Sequence, residues 1–156
     1  DMVQEIAPDA AIQIKWPNDL LSANGAKFCG MLLERGGDAV VVGIGVNLAH
    51  CPVGLERAVT SVAAMGANVP SAQAATEILA RHFRNWLLRW RGEGIGAIAD
   101  AWVARAHKPG TPLTVSLPDS ERLEGHFAGL AGDGALQLCL ADGSIRAIHA
   151  GDVFLI

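Results

Sequence analysis

Residues 14–34 read IKWPNDLLSANGAKFCGMLLE, and the fold turns on this stretch. It is apolar, yet it holds two lysines, an Asn-Asp pair and a bare glycine. AIQIKW (11–16) has strand character and stops at Pro17, which has no N–H to give to a ladder. Asn24-Gly25 is a strong hairpin signal, so DLLS and KFCGMLLE should pair as antiparallel strands. RGGD (35–38) makes a second turn, and AVVVGIGV (39–46) a third strand of the meander.

Side chains alternate across a strand. Val40, Val42, Ile44 and Val46 share one face and read as a core stripe. Val41, Gly43, Gly45 and Asn47 share the other, a bare strip ending in a carboxamide. Glycine inside a strand costs stability. A flat ligand against the backbone explains it, and so does close packing of another element. In the preceding strand, Lys27, Cys29, Met31 and Leu33 alternate with Phe28, Gly30, Leu32 and Glu34. Lys27 and Gly30 therefore fall on opposite faces. They can serve one ligand only through backbone approach or a local bulge. Lys15, Asn18, Asp19 and Lys27 gather near one hairpin end, although each charge taken alone reads as a solvated surface residue. Two cations, an amide and a carboxylate suit anionic reactants: lysine screens phosphate, and a carboxylate orients Mg²⁺ or an incoming amine.

Around this meander, MVQEIA (2–7) reads as the end of a helix closed by Pro8, and a short helical piece is expected near 55–64. Ser71 is a helix N-cap. The helix it opens runs to about Arg91, with Ala75, Leu79, Phe83, Trp86, Leu87 and Trp90 at helical spacing. Trp86 and Trp90 read as core, and Arg81, Arg84, Arg89 and Arg91 as a solvated face. A further helix spans 95–106 with Ile98, Trp102 and Val103. HKPGTP (107–112) marks a change of style. Beyond it come LTVSL, LEGHFAGL, ALQLCL, IRAIHA and DVFLI, separated by tight turns, which predicts a small barrel of about five strands. The boundary is set near Lys108, giving domains 1–108 and 109–156.

Composition narrows the function. A chain that is 51% hydrophobic can bury a core, and a net charge of −4 gives no reason to expect nucleic acid or an anionic membrane. No apolar run is long enough to span a bilayer. The three cysteines, Cys29, Cys51 and Cys139, are scattered, with no Cys-x-x-Cys, and read as free thiols in a reducing cytoplasm. No two of the five histidines have i,i+4 metal spacing. GIGVNL has Leu48 where a dinucleotide fingerprint needs its third glycine. A Gly-Lys-Ser/Thr phosphate loop and a Gly-x-Ser-x-Gly elbow are both absent from the sequence.

KWPNDLL, KFCGMLLE and VVVGIGVN, in that order, resemble the biotin protein ligases (biotin–[acetyl-CoA-carboxylase] ligases). GALQLCLADGSIRAIHAGDV resembles that family's small C-terminal domain. The resemblance covers most of the chain and implies an α+β fold. Part of a mixed β-sheet with helices, as in class II aminoacyl-tRNA synthetases and biotin ligases, is followed by an SH3-like β-barrel. It implies an ATP-dependent ligase that forms biotinyl-5′-AMP and passes biotin to a lysine of a biotin carboxyl carrier domain. Biotin, ATP and Mg²⁺ are consumed or carried as substrates, with no permanently bound cofactor. By the same resemblance Lys27 meets the biotin carboxyl or acyl-phosphate, and Asp19 orients the acceptor lysine. Gly30 lines the biotin pocket. Asn18 and Asp19 lie near the phosphates and their Mg²⁺, and Lys15 is a phosphate neighbour. Gly43, Gly45 and Asn47 flank the ligand, with Asn47 toward adenine. A cytoplasmic protein is implied, with a second copy as a further partner across an exposed sheet edge. DNA binding would need an upstream winged helix.

The sequence departs from the family in three places. The Gly-Arg-Gly-Arg-like segment and the residues that bind the biotin ring stand upstream in the family and are not in this sequence, so a fragment impaired in adenylate formation is expected. The hairpin between Asp19 and Lys27 is one residue longer than usual. Ile156 stands where some members carry an arginine that reaches the nucleotide. The competing readings are a non-catalytic module that binds biotin or the carrier domain, and a lipoate-type ligase.

Overall fold

A computed structural model describes residues 1–155; Ile156 and the expectation attached to it lie outside the described residues. The elements are α1 (Met2–Ile6), β1 (Ile12–Lys15), β2 (Asp19–Ser22), β3 (Lys27–Gly36), β4 (Ala39–Val46), a 3-10 turn (Ala63–Met65), α2 (Ala72–Glu93) and α3 (Ile95–Val103). They are followed by β5 (Pro112–Ser116), β6 (Arg122–Leu130), β7 (Leu136–Cys139), β8 (Ile145–Ile148) and β9 (Asp152–Leu155). By contact the chain divides into two units: Asp1–Ile14 with Asn18–Leu87, and Lys15–Pro17 with the residues from Leu88 on. Lys108, the expected boundary, lies inside the second unit. Among the described residues no helix is long and apolar enough to cross a membrane.

The meander forms as expected, with strand order β1-β2-β3-β4. The turn between β2 and β3 places Gly25 at φ 79°, open to glycine but costly for other residues. The Ser22 amide donates to the Ala26 carbonyl across it (2.9 Å). β2–β3 and β3–β4 are antiparallel, and an isolated parallel bridge joins Lys27 to Val59. The core beneath consists of Met2, Val3, Ala7, Phe28, Cys29 and Val62, with Ile44, Val46, Ile78 and Leu79 packed against it. Ser71 caps α2, its Oγ accepting from the Ala74 amide at 3.2 Å.

Three sequence expectations need correction. The stripe Val40, Val42, Ile44, Val46 is core only at its end: Ile44 and Val46 reach the core, while Val40 is 57% exposed and Val42 is exposed as well. Opposite them Leu32 and Leu33 are each 62% exposed, so the outer part of the β3–β4 ribbon is apolar and bare on both faces. The helical piece expected over 55–64 shrinks to the single turn Ala63–Met65, because the backbone of 58–60 is taken up by the bridge to Lys27. In α2, Ala75 is buried and Ile78 and Leu79 pack on the core, but Phe83 and Trp90 are exposed, and Trp86 uses its indole N–H on the Asp1 carboxylate (2.6 Å).

In the second unit, β5–β9 form an antiparallel sheet of order β8-β7-β6-β5-β9. No pairing of β8 with β9 closes it among the described residues. Its core is Leu113, Val115, Phe127, Leu136, Leu138, Ile148 and Val153, filled by alternate side chains of the strands. Trp16 belongs to this core, with Trp102 and Ala106 packed against it. Its indole N–H donates to the Gly134 carbonyl at 3.2 Å. The Trp16–Pro17 peptide bond is cis.

Candidate active site

The conflict between Lys27 and Gly30 is resolved at Phe28. Leu20 pairs with Cys29, but the next residue of β2, Leu21, pairs with Lys27, so Phe28 is an extra residue bulged out of β3. A bulge shifts the alternation by one. Phe28 drops into the core, 1% exposed, and Lys27 arrives on the face of Gly30. The main chain of Lys27 is held on both sides: its amide donates to the Ala58 carbonyl and its carbonyl accepts from the Thr60 amide, each at 3.0 Å.

The Lys27 ammonium makes an ion pair with Asp19, a buried carboxylate. Asp19 is the cross-strand partner of Gly30, and Gly30 of Gly45, so all three share one face. A Cβ on Gly30 would lie 2.8 Å from Lys27 Nζ, 2.9 Å from its Cε and 3.3 Å from Asp19 Oδ1. Glycine at position 30 is thus what lets the ion pair lie flat over the strand.

Gly43 and Gly45 differ from Gly30. A Cβ there would find its nearest neighbours at 3.6 Å (the Leu32 carbonyl) and 3.8 Å (the Gly30 carbonyl), ordinary contact distances. Nothing among the described residues requires these two glycines, and neither has a positive φ. The close-packing explanation fails for them. The two glycines leave a strip without side chains on the face that carries the Lys27–Asp19 pair.

The two amides are engaged within the fold. Asn18 Nδ2 donates to the Met31 carbonyl (2.5 Å), and the Met31 amide donates back to the Asn18 carbonyl (3.0 Å). Asn47 Nδ2 donates to the Thr60 carbonyl (3.0 Å), tying the 47–62 loop to the strand end. These bonds position backbone, which the sequence reading missed; no periodicity marks them. Lys15 belongs to the other unit, with Trp16. Cys29, beneath Lys27, is a core thiol: burial pushes it up to about 11, which leaves little thiolate at neutral pH.

As a metal cage the residues do not fit. Among the described residues no group of three or more His, Cys, Asp or Glu side chains could hold an ion, and Asp19 is already paired with Lys27.

The profile of the biotin/lipoate A/B protein ligase family matches residues 1–104, and that of the biotin protein ligase C-terminal domain matches 114–156. The chain belongs to the biotin protein ligase family. Its relatives in that family include the biotin–[acetyl-CoA-carboxylase] ligase of Paracoccus denitrificans, 37% identical over 94% of this chain and 64% of that protein. The enzyme of the same name from Mycobacterium tuberculosis is 31% identical over 94% of this chain and 54% of its own length. The chain thus spans a little over half to just under two thirds of these curated relatives. The biotin protein ligase of Aquifex aeolicus, in its complex with biotin and ATP, superposes with a TM-score of 0.85 at 18% identity, covering 99% of this chain and 66% of that one. A biotin protein ligase-like protein of unknown function from Silicibacter sp. TM1040 gives 0.73 at 22% identity, over 94% and 65%. These structures establish the ligase fold, with its mixture of helices and two antiparallel sheets.

Proposed function

We propose that this chain carries part of the active site of a biotin protein ligase. The reaction joins biotin to ATP as biotinyl-5′-AMP and then transfers biotin to a lysine of a carboxyl carrier domain. The observation that supports it most is the Lys27–Asp19 pair lying over Gly30 beside the unexplained strip Gly43–Gly45.

The first step brings a carboxylate against a triphosphate, so charge repulsion and orientation dominate its barrier. An ammonium group has three donors. One binds Asp19, which fixes the Lys27 head, and two remain for the biotin carboxylate and the α-phosphoryl oxygens, where charge develops. In the second step the acceptor lysine attacks as a neutral amine, and the Asp19 carboxylate orients it and eases its proton loss. The bare strip lets the flat adenylate lie against the backbone. Asn47, by holding Thr60, keeps the edge of that strip in place.

Calorimetric binding of biotinyl-5′-adenylate, followed by transfer of biotin to a carrier domain, tests the proposal. Binding with transfer supports it. Binding without transfer favours a non-catalytic module, and no binding overturns both. Gly30→Ala should separate site from fold. Its Cβ meets the flexible end of Lys27, so melting should be nearly unchanged, while displacement of the ion pair by about 1 Å should weaken adenylate binding roughly 10- to 100-fold. Unchanged adenylate affinity in this variant would remove Gly30 from the site.

A further inference from the structure

Both main-chain polar groups of Lys27 are engaged by residues 58–60: its amide donates to the Ala58 carbonyl and its carbonyl accepts from the Thr60 amide. The place of the lysine main chain therefore follows the place of that short segment. On one side of the segment the chain is bare, with Val53 92% exposed and residues 53–58 all exposed. On the other side Val62 is fully buried in the core. Thr60 stands between the two.

Asn47, half-buried at the end of β4, reaches this point three times. Its amide donates to the Phe28 carbonyl (2.8 Å), its carbonyl accepts from the Val62 amide (2.8 Å), and its Nδ2 donates to the Thr60 carbonyl (3.0 Å). A closed ring results. It runs from the Phe28 carbonyl to Asn47, along the Asn47 side chain to Thr60, from the Thr60 amide to the Lys27 carbonyl, and across one peptide bond back to Phe28. The ring encloses the bulge that puts Lys27 on the face of Gly30. Its main-chain bonds are open to any residue with an N–H. The link from position 47 to Thr60 needs a side-chain donor, which a carboxamide supplies.

We infer that Asn47 is a positioning residue for Lys27: through Thr60 its carboxamide sets where the lysine main chain stands on the bulge, and so where the ammonium group meets the ligand. The inference rests on the reading of Lys27 as the cation that meets the adenylate. It gives the carboxamide a task other than the adenine contact that the family resemblance implies. The effect is smaller than loss of the lysine itself, because the four-carbon stem takes up part of any main-chain shift.

The nitrogen NMR signal of the Lys27 ammonium, assigned with Lys27→Ala and read without ligand, tests this. Asn47→Ala should move that signal, and Asn47→Gln, which keeps the donor, should bring it part of the way back. Asn47→Ala should also weaken biotinyl-5′-adenylate about 3- to 10-fold, the loss expected for one hydrogen bond. In a Lys27→Ala background the same change should weaken it little further, because the two residues act as one. An ammonium signal unmoved by Asn47→Ala overturns the inference. So does equal weakening in both backgrounds, since Asn47 then acts on the ligand by itself. If Lys27→Ala leaves adenylate affinity unchanged, or the adenylate does not bind the unaltered chain, the reading of Lys27 falls, while a moved ammonium signal still supports the positioning role. Should Asn47→Ala not fold, Asn47→Ser, whose hydroxyl is too short to reach Thr60, takes its place.

Discussion

Lys27→Ala should weaken binding of biotinyl-5′-adenylate by about 10²–10³-fold and slow transfer to the carrier lysine by a similar factor. Two losses combine. The ligand loses a charge-assisted donor. The Asp19 carboxylate, buried in the site, also loses its cation and then faces an anionic ligand. Truncating one member of a buried, hydrogen-bonded charge pair costs about 2–5 kcal/mol. Calorimetry and a single-turnover transfer assay measure the effect, and melting of the same variant shows what part of it is structural. An adenylate affinity within threefold of the parent chain would show that the ammonium does not touch the ligand.

Trp16→Ala should produce the largest loss of stability. Trp16 is 7% exposed, inside the core of the second unit, and its indole N–H reaches Gly134, 118 residues away in sequence. Emptying a site of this size costs about 3–5 kcal/mol, and such a loss lowers the melting temperature by about 10 °C or more. Trp16→Phe keeps most of the volume but loses the hydrogen bond, so it should melt between the two. Calorimetry on the three proteins tests the ranking. If Trp16→Ala melts with the parent chain, the indole is not part of that core.

Much of this was legible in the sequence because the signals are local. Asn24-Gly25 announced its hairpin, Ser71 its helix, and the short alternating segments after Pro112 their strands. Parity alone demanded either a bulge or a backbone approach if Lys27 and Gly30 are to serve one ligand, and the bulge is there. What failed was knowledge of what covers a face. Alternation says that Val40 and Val42 share a side with Ile44; it does not say that anything packs on them. Helical spacing likewise grouped Phe83 and Trp90 with Ala75, yet only the early part of α2 meets a core. Asn18 and Asn47 read as ligand contacts because a carboxamide near a strand end suits either task. Their backbone partners, Met31 and Thr60, are each 13 residues away. The destination of Trp16 needed a contact spanning most of the chain.

The extra residue at Phe28 also decouples loop length from chemistry. A strand without slack transmits any one-residue change in the preceding turn to every side chain downstream, turning the remainder of the strand inside out. Here the surplus is absorbed at one point, while Lys27 is anchored separately through Ala58 and Thr60. The lysine is thus placed by a clasp of its own and does not depend on the tip around Asn24 alone.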